Sequence, residues 1–223
     1  MIVKSTSNYL VIDDFMDPDE LVELRNFLKK EPYFYENAFE WNKVWHPLDG
    51  KVLVTTPNSC GETERAGGQF PTDTPLDLFF RTMEKESEAI AQILQCQESE
   101  IKYVVATYLY RAGWGLSWHD DAGPYCGAFA FYIHDEWRGN WGGELMILPE
   151  ERLYKAEEHS IDLGYKQGGG FGDSAHVATG IGEFVMPLPN RIVFMSKALI
   201  HSINKVAPHA GENMRFSVSG FFL

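Results

Sequence analysis

The sequence predicts an α+β fold that is mainly β, a sandwich or jelly roll of short strands with amino-terminal helices packed on one outer face. Apolar residues recur at helical spacing in two segments before residue 100, and short apolar runs separated by Gly, Pro or Asn replace that period afterwards. Helices followed by many short strands pack as layers, with the helices on one side of the sheets. With 223 residues and 44% hydrophobic content, the chain is long enough for one well-buried core. We therefore expect a single domain over 1–223, in which 1–100 supply helical support and a substrate region and 101–223 form the jelly-roll core.

Tyr9–Phe15 reads as a strand, and Asp17-Pro18 opens a helix with Asp17 as N-cap and Pro18 at the first helical position, where the missing N–H costs nothing. Leu21, Val22, Leu24 and Leu28 give that helix an apolar face to about Lys30. Residues 31–71 are aromatic and irregular, with Tyr33, Phe34, Tyr35, Phe39, Trp41, Trp45 and His46, a strand at Lys51–Thr55 and a polar loop at Pro57–Gly68. A second helix is expected from Thr74-Pro75 to about Gln95, on the period of Leu76, Phe79, Phe80, Met83, Ile90, Ile93 and Leu94. Strands are expected at Ile101–Tyr110, Gly127–His134, Gly143–Leu148, Glu183–Pro187, Arg191–Met195, Leu199–Val206 and Met214–Phe222. Seven glycines between Gly164 and Gly182 exclude a core element there, leaving a lid over a pocket or a surface insertion.

A formal net charge of -13 and a pI near 4.9 argue against nucleic-acid or anionic-membrane partners, whose phosphates the summed field repels. Cys60, Cys96 and Cys126 are odd in number and widely spaced, so neither a disulfide framework nor a zinc site is signalled. With no signal-peptide pattern and no long apolar run, the expectation is a soluble, cytoplasmic protein whose oligomeric state stays open.

The chemistry-bearing stretch is Trp118-His119-Asp120-Asp121. On an extended segment His119 and Asp121 point to one face, as chelation of one ion requires, and Asp120 points away. If His201 meets His119 and Asp121 in space, the three make two imidazoles and one carboxylate, a set that suits a non-haem Fe(II) centre. Further on, alternation places Arg215, Ser217 and Ser219 on one face of the last strand, opposite Phe216 and Val218. A guanidinium turned into a barrel needs an anion, supplied either by the protein or by a ligand.

The order His119-x-Asp121, His201, Arg215-x-Ser217 resembles the Fe(II)/2-oxoglutarate-dependent dioxygenases, and more narrowly their prolyl-4-hydroxylase-like branch. Tyr110-Arg-Ala-Gly113, Gly142-Gly-Glu-Leu145, Asn190-Arg-Ile-Val-Phe194 and His201–Val206 are similar to pieces that flank the ligands in that branch, and the strand and helix from Tyr9 resemble its amino-terminal start. The likeness covers 101–223 well and 9–30 loosely; residues 31–100 match no pattern. It implies a double-stranded β-helix and Fe(II), 2-oxoglutarate and O2, with ascorbate as an accessory reductant. The implied reaction hydroxylates an unactivated C–H bond and releases succinate and CO2. It further implies His119, Asp121 and His201 as metal ligands and Arg215 as the fork for the distal carboxylate of 2-oxoglutarate, with Tyr110 and Ser217 as added hydrogen-bond donors. A carboxylate at Asp121 disfavours halogenation, which in related enzymes goes with a small residue there.

For the substrate we expect an amino-acid-like small molecule or a peptidyl residue, with His134, Asp120, Trp118 and Trp141 as contacts; Asp135 is a further candidate, and Trp137 could wall the pocket. The alternative is a non-oxidative, cupin-like jelly roll acting as an isomerase or sugar-binding module, against which the missing HxH pattern counts.

Overall fold

The computed structural model describes residues 1–37, 50–121, 125–148, 182–197 and 199–223. Fourteen strands are described, in two antiparallel sheets that face each other apart from one short parallel pairing. The larger sheet runs β1 (Ile2–Ser5), β2 (Tyr9–Ile12), β12 (Arg191–Ser196), β9 (Gly127–Tyr132), β14 (Arg215–Phe222), β7 (Tyr103–Tyr110), β4 (Lys51–Val54) and β3 (Phe34–Asn37), with β5 (Asn58–Cys60) and β6 (Gly68–Gln69) attached beside β7. The smaller sheet runs β11 (Glu183–Val185), β10 (Leu145–Leu148), β13 (Ile200–Ile203) and β8 (Leu116–His119). This is the jelly roll expected from the strand spacing.

The helices α1 (Pro18–Leu28), α2 (Leu76–Lys85) and α3 (Ser87–Leu94) cover the outer face of the large sheet. Asp17 caps α1 through bonds from the Asp19 and Glu20 backbone N–H groups, and Leu21, Leu24 and Leu28 are buried, whereas Val22 is exposed and lies off the apolar stripe. Between helices and sheet lies a core dense in phenylalanine. Phe79 stacks on Phe131 at 5.7 Å, and Phe15 meets Phe131 edge-on at 5.2 Å. Such ring pairs add about 0.5–1.5 kcal/mol each beyond their area burial.

Several boundaries differ from those expected. The second helical segment is two helices, broken at Glu86. No Gly or Pro marks the break; it lets α2 pack on α1 and α3 on β12, which one straight helix could not do. Thr74 contributes one bond from the Leu76 N–H, but Asp77 does more of the work at that turn, accepting from Thr72 and Asp73. The Pro57–Gly68 loop contains β5 and ends at β6, and β1 and β3 were not foreseen. Phe39, Trp41, Trp45, His46 and all but the last glycine of the Gly164–Gly182 run fall outside the described residues.

Candidate metal centre

His119 ends β8, His201 lies on β13, and the two are direct cross-strand partners. Alternation alone would not put both Leu116 and His119 in the interior, because they are three residues apart. The pairing absorbs this, since Leu116 faces Ile203 while His119 faces His201, so β8 carries one extra residue there. A bulge of this kind re-aims a side chain. Asp121 follows on the same side, and ligand atoms of His119, Asp121 and His201 all lie within 4.8 Å of one another.

Each imidazole is oriented by its own backbone. His119 Nδ1 lies 2.7 Å from Ser117 O, and His201 Nδ1 lies 2.9 Å from Leu199 O. A carbonyl only accepts, so Nδ1 donates in both rings and the lone pair is left on Nε2. Those two Nε2 atoms face Asp121, at 3.8 Å from Oδ1 and 3.4 Å from Oδ2. Two imidazoles that turn Nε2 toward one carboxylate, all three residues buried, fit a divalent ion with open positions.

The same cavity, about 360 Å³, reaches Arg215. Arg215 is 1% exposed, donates from Nε to Gly143 O and from NH2 to Tyr132 Oη, and lies over the rings of Tyr132 at 4.8 Å and Tyr110 at 5.6 Å. Gly142 and Gly143 both have positive φ, and a Cβ on Gly143 would sit 3.1 Å from the Arg215 side chain, so this close approach requires glycine. Among the described residues no carboxylate pairs with Arg215. A buried guanidinium without a counter-anion is costly, and a ligand carboxylate entering the cavity supplies one.

Register arranges the cavity wall in rows. Tyr110 pairs with Arg215; Ser217 lies between Tyr108 and Tyr132; Ser219 lies between Ala106 and Ala130; Phe221 lies between Val104 and Ala128. The third row is all small, which leaves room in the cavity along that row. Burial raises the Tyr110 hydroxyl to about 12, with Arg215 opposing the shift, and burial likewise raises that of Tyr108. Both phenols remain neutral donors, and neither makes a hydrogen bond within the described residues.

The structure brings His119, Asp121, His201, Arg215, Tyr110 and Ser217 to one cavity. It does not bring His134 or Trp141 there. His134 is buried in the wall behind Arg215, donating from Nε2 to Pro187 O, accepting on Nδ1 from the Phe216 N–H and packing on Trp137 at 4.7 Å. Burial pushes its pKa down to about 3, and Arg215 adds to the shift. Trp141 packs edge-on against Trp137 in a buried cluster with Tyr110 and Val206. Expected as substrate contacts, both lie outside that lining because the chain folds back over them. Asp135 is tied on the surface to Lys29 and Arg25. Trp118 and Asp120 are half-buried and outside the described lining. Sequence reasoning missed Tyr132, Tyr108, Tyr125 and Phe221. Alternation within Ala128-Phe-Ala-Phe-Tyr132 could have flagged Tyr132, since it puts two alanines and a tyrosine on one face.

Residues 103–223, more than half of the chain, match the family model of the 2OG-Fe(II) oxygenase superfamily. The chain belongs to that superfamily. It is accordingly an iron- and 2-oxoglutarate-dependent dioxygenase, and the cupin-like alternative falls away. When bound, Fe(II) with 2-oxoglutarate and O2 supplies an oxidant for C–H bonds. Solved structures agree in fold. A prolyl-4-hydroxylase from Pseudomonas putida aligns over 96% of this chain and 91% of its own, with TM-score 0.60 and 14% identity. A Trichoplax adhaerens prolyl hydroxylase, in complex with a hypoxia-inducible-factor peptide fragment, aligns over 98% and 84%, with TM-score 0.58 and 14% identity. The epimerase SnoN, in complex with Fe3+, alpha-ketoglutarate and nogalamycin RO, aligns over 97% and 78%, with TM-score 0.56 and 14% identity. A sequence search of curated proteins gave no significant match. Among the described residues, no helix of this oxygenase is long and apolar enough to cross a membrane.

Proposed function

We propose that this oxygenase hydroxylates an amino-acid-like small molecule or a peptidyl residue, with His119, Asp121 and His201 holding Fe(II) and Arg215 holding the distal carboxylate of 2-oxoglutarate. One observation carries the reading: an oriented His-Asp-His cluster and a buried arginine lacking a carboxylate partner among the described residues face one cavity. The guanidinium offers a planar fork to a carboxylate, which a lysine could not match. Tyr132 already bonds Arg215 and holds it in place. The neutral phenol of Tyr110 and the hydroxyl of Ser217 are the neighbouring groups available to the same anion. Leu145 and Ile203 give the cavity that joins these groups an aliphatic wall.

The net reaction consumes O2 and 2-oxoglutarate, places one oxygen atom in the product hydroxyl and the other in succinate, and releases CO2. Two prolyl hydroxylases of matching fold, one in complex with a peptide fragment, support the substrate class. His134 and Trp141 take no substrate role in this reading, because each is sealed inside the protein. The test is O2-dependent succinate release by the iron-loaded protein across free amino acids and short proline-containing peptides. Stimulation by one member, with one hydroxyl added per succinate, supports the reading. Succinate formed while none of them is modified would move the substrate to another class.

A further inference from the structure

A second arginine lies over a ring that lines the same cavity. On β14, Arg215, Ser217, Ser219 and Phe221 share the cavity face, a row of about 20 Å at roughly 3.3 Å per residue. A five-carbon diacid anchored at Arg215 covers less than half of that row, so the stretch beside Phe221 is left to the molecule being oxidised. There the Tyr125 ring stacks on Phe221, with centroids 4.5 Å apart and planes 20° off parallel, and both residues line the cavity. The Arg65 guanidinium lies over the Tyr125 ring at 5.1 Å. Phe221 occupies one face of that ring, so Arg65 takes the other and forms the outermost layer of the stack. Arg65 is exposed and flanked in sequence by Glu62 and Glu64, yet no carboxylate pairs with it among the described residues.

Arg215 thus lies in the cavity lining and Arg65 lies against a lining tyrosine, each cation laid on a tyrosine ring, and Met195, Leu145, Ala128 and Ala130 give the same cavity an apolar wall. We propose that Arg65 is a specificity-determining residue that pairs with an anionic group of the substrate, which makes the substrate class a small organic acid with an apolar body. A chain of formal charge -13 repels an acid over most of its surface, and an exposed cation against the cavity wall offsets this locally. Stacking on Tyr125 pre-organises the guanidinium, so less freedom is lost when it meets a carboxylate. The assignment rests on the oxygenase reading above, because Arg215 must be filled by 2-oxoglutarate for the stretch beside Phe221 to be the substrate's.

The test titrates 3-phenylpropionate and its amide, 3-phenylpropionamide, calorimetrically into the full-length protein loaded with Zn(II), an inert metal, and saturating 2-oxoglutarate. The acid is expected to bind about tenfold or more tightly than the amide, and added salt should narrow that margin. Arg65→Gln is expected to abolish the discrimination and Arg65→Lys to restore part of it, with 2-oxoglutarate binding as the control for an intact fold. Equal affinities, discrimination that survives Arg65→Gln, or no binding of the acid at millimolar concentration overturns the proposal. A failure of 2-oxoglutarate to bind in the first titration overturns the oxygenase site instead, so the two readings fail separately.

Discussion

The two faces of β14 are both buried over Arg215–Val218 and do opposite things. Phe216, Val218 and Phe222 enter the helix-side core at 5%, 0% and 1% exposure; Arg215 and Ser217, alternating with them, are 1% and 0% exposed but face the cavity. On the helix side apolar side chains close on one another, with Phe222 packed against Phe129 and Phe194. On the cavity side polar groups are taken out of water with partners for only some of their atoms, which stabilises nothing until a ligand arrives. Burial on one face therefore measures stability, and on the other it measures readiness to bind.

Substitutions should separate the faces, and the largest effect is expected at the metal residues. His119→Ala or His201→Ala removes one of the clustered donors and should abolish iron binding and succinate formation while leaving the melting transition nearly in place, checked by metal analysis and calorimetry. On the other face, Phe131→Ala should cost about 3–5 kcal/mol in denaturant unfolding, with iron still bound by the fraction that stays folded, because Phe131 touches the helices and not the cavity. Arg215→Lys keeps the charge but loses the fork, and 2-oxoglutarate binding should weaken by about 2–5 kcal/mol, read by titration, with iron binding retained.

His134 sits at the boundary between the faces and gives a smaller, pH-dependent effect. Burial holds its folded pKa at about 3, below the ordinary 6.5 of a histidine, so the unfolded chain takes up a proton first as pH falls. This contribution to stability is fully present above pH 6.5, is lost progressively between 6.5 and about 3, and has a slope of about 1.4 kcal/mol per pH unit within that window. His134→Gln should be less stable than wild type at pH 7 and lose less on going to pH 5, as measured by urea unfolding. The smallest effect is expected for Asp120→Asn, which should leave metal affinity within about twofold, since Asp120 is outside the His-Asp-His cluster.

What could be read in the sequence follows from the range of the interactions. The α1 cap and the His119-x-Asp121 and Arg215-x-Ser217 pairs depend on neighbours one to three residues apart, and each keeps its expected geometry. Joining His201 to His119 needed the resemblance, because no local pattern encodes a pairing across eighty residues. Tyr132 and Phe221 share a face by alternation with Ala128 and Ala130 and with Arg215 and Ser217, but that these faces and Tyr108 join in one cavity wall is set by the register of β9, β7 and β14 together. The extra residue in β8 and the break at Glu86 were hidden for the same reason: both are tertiary answers to packing partners, made without Gly or Pro at the break itself. His134 was misplaced because a strand-end histidine looks exposed until the Pro187 segment closes over it.

The most direct test of the central claim, that one cavity joins a His-Asp-His iron site to an arginine reserved for a carboxylate, is an anaerobic spectrum. Fe(II) and 2-oxoglutarate added to the wild-type protein should produce a weak visible charge-transfer band. His201→Ala should show no band at any concentration, and Arg215→Ala should show it only at much higher 2-oxoglutarate. A wild-type protein without the band, or an Arg215→Ala titration that superimposes on wild type, would contradict the account.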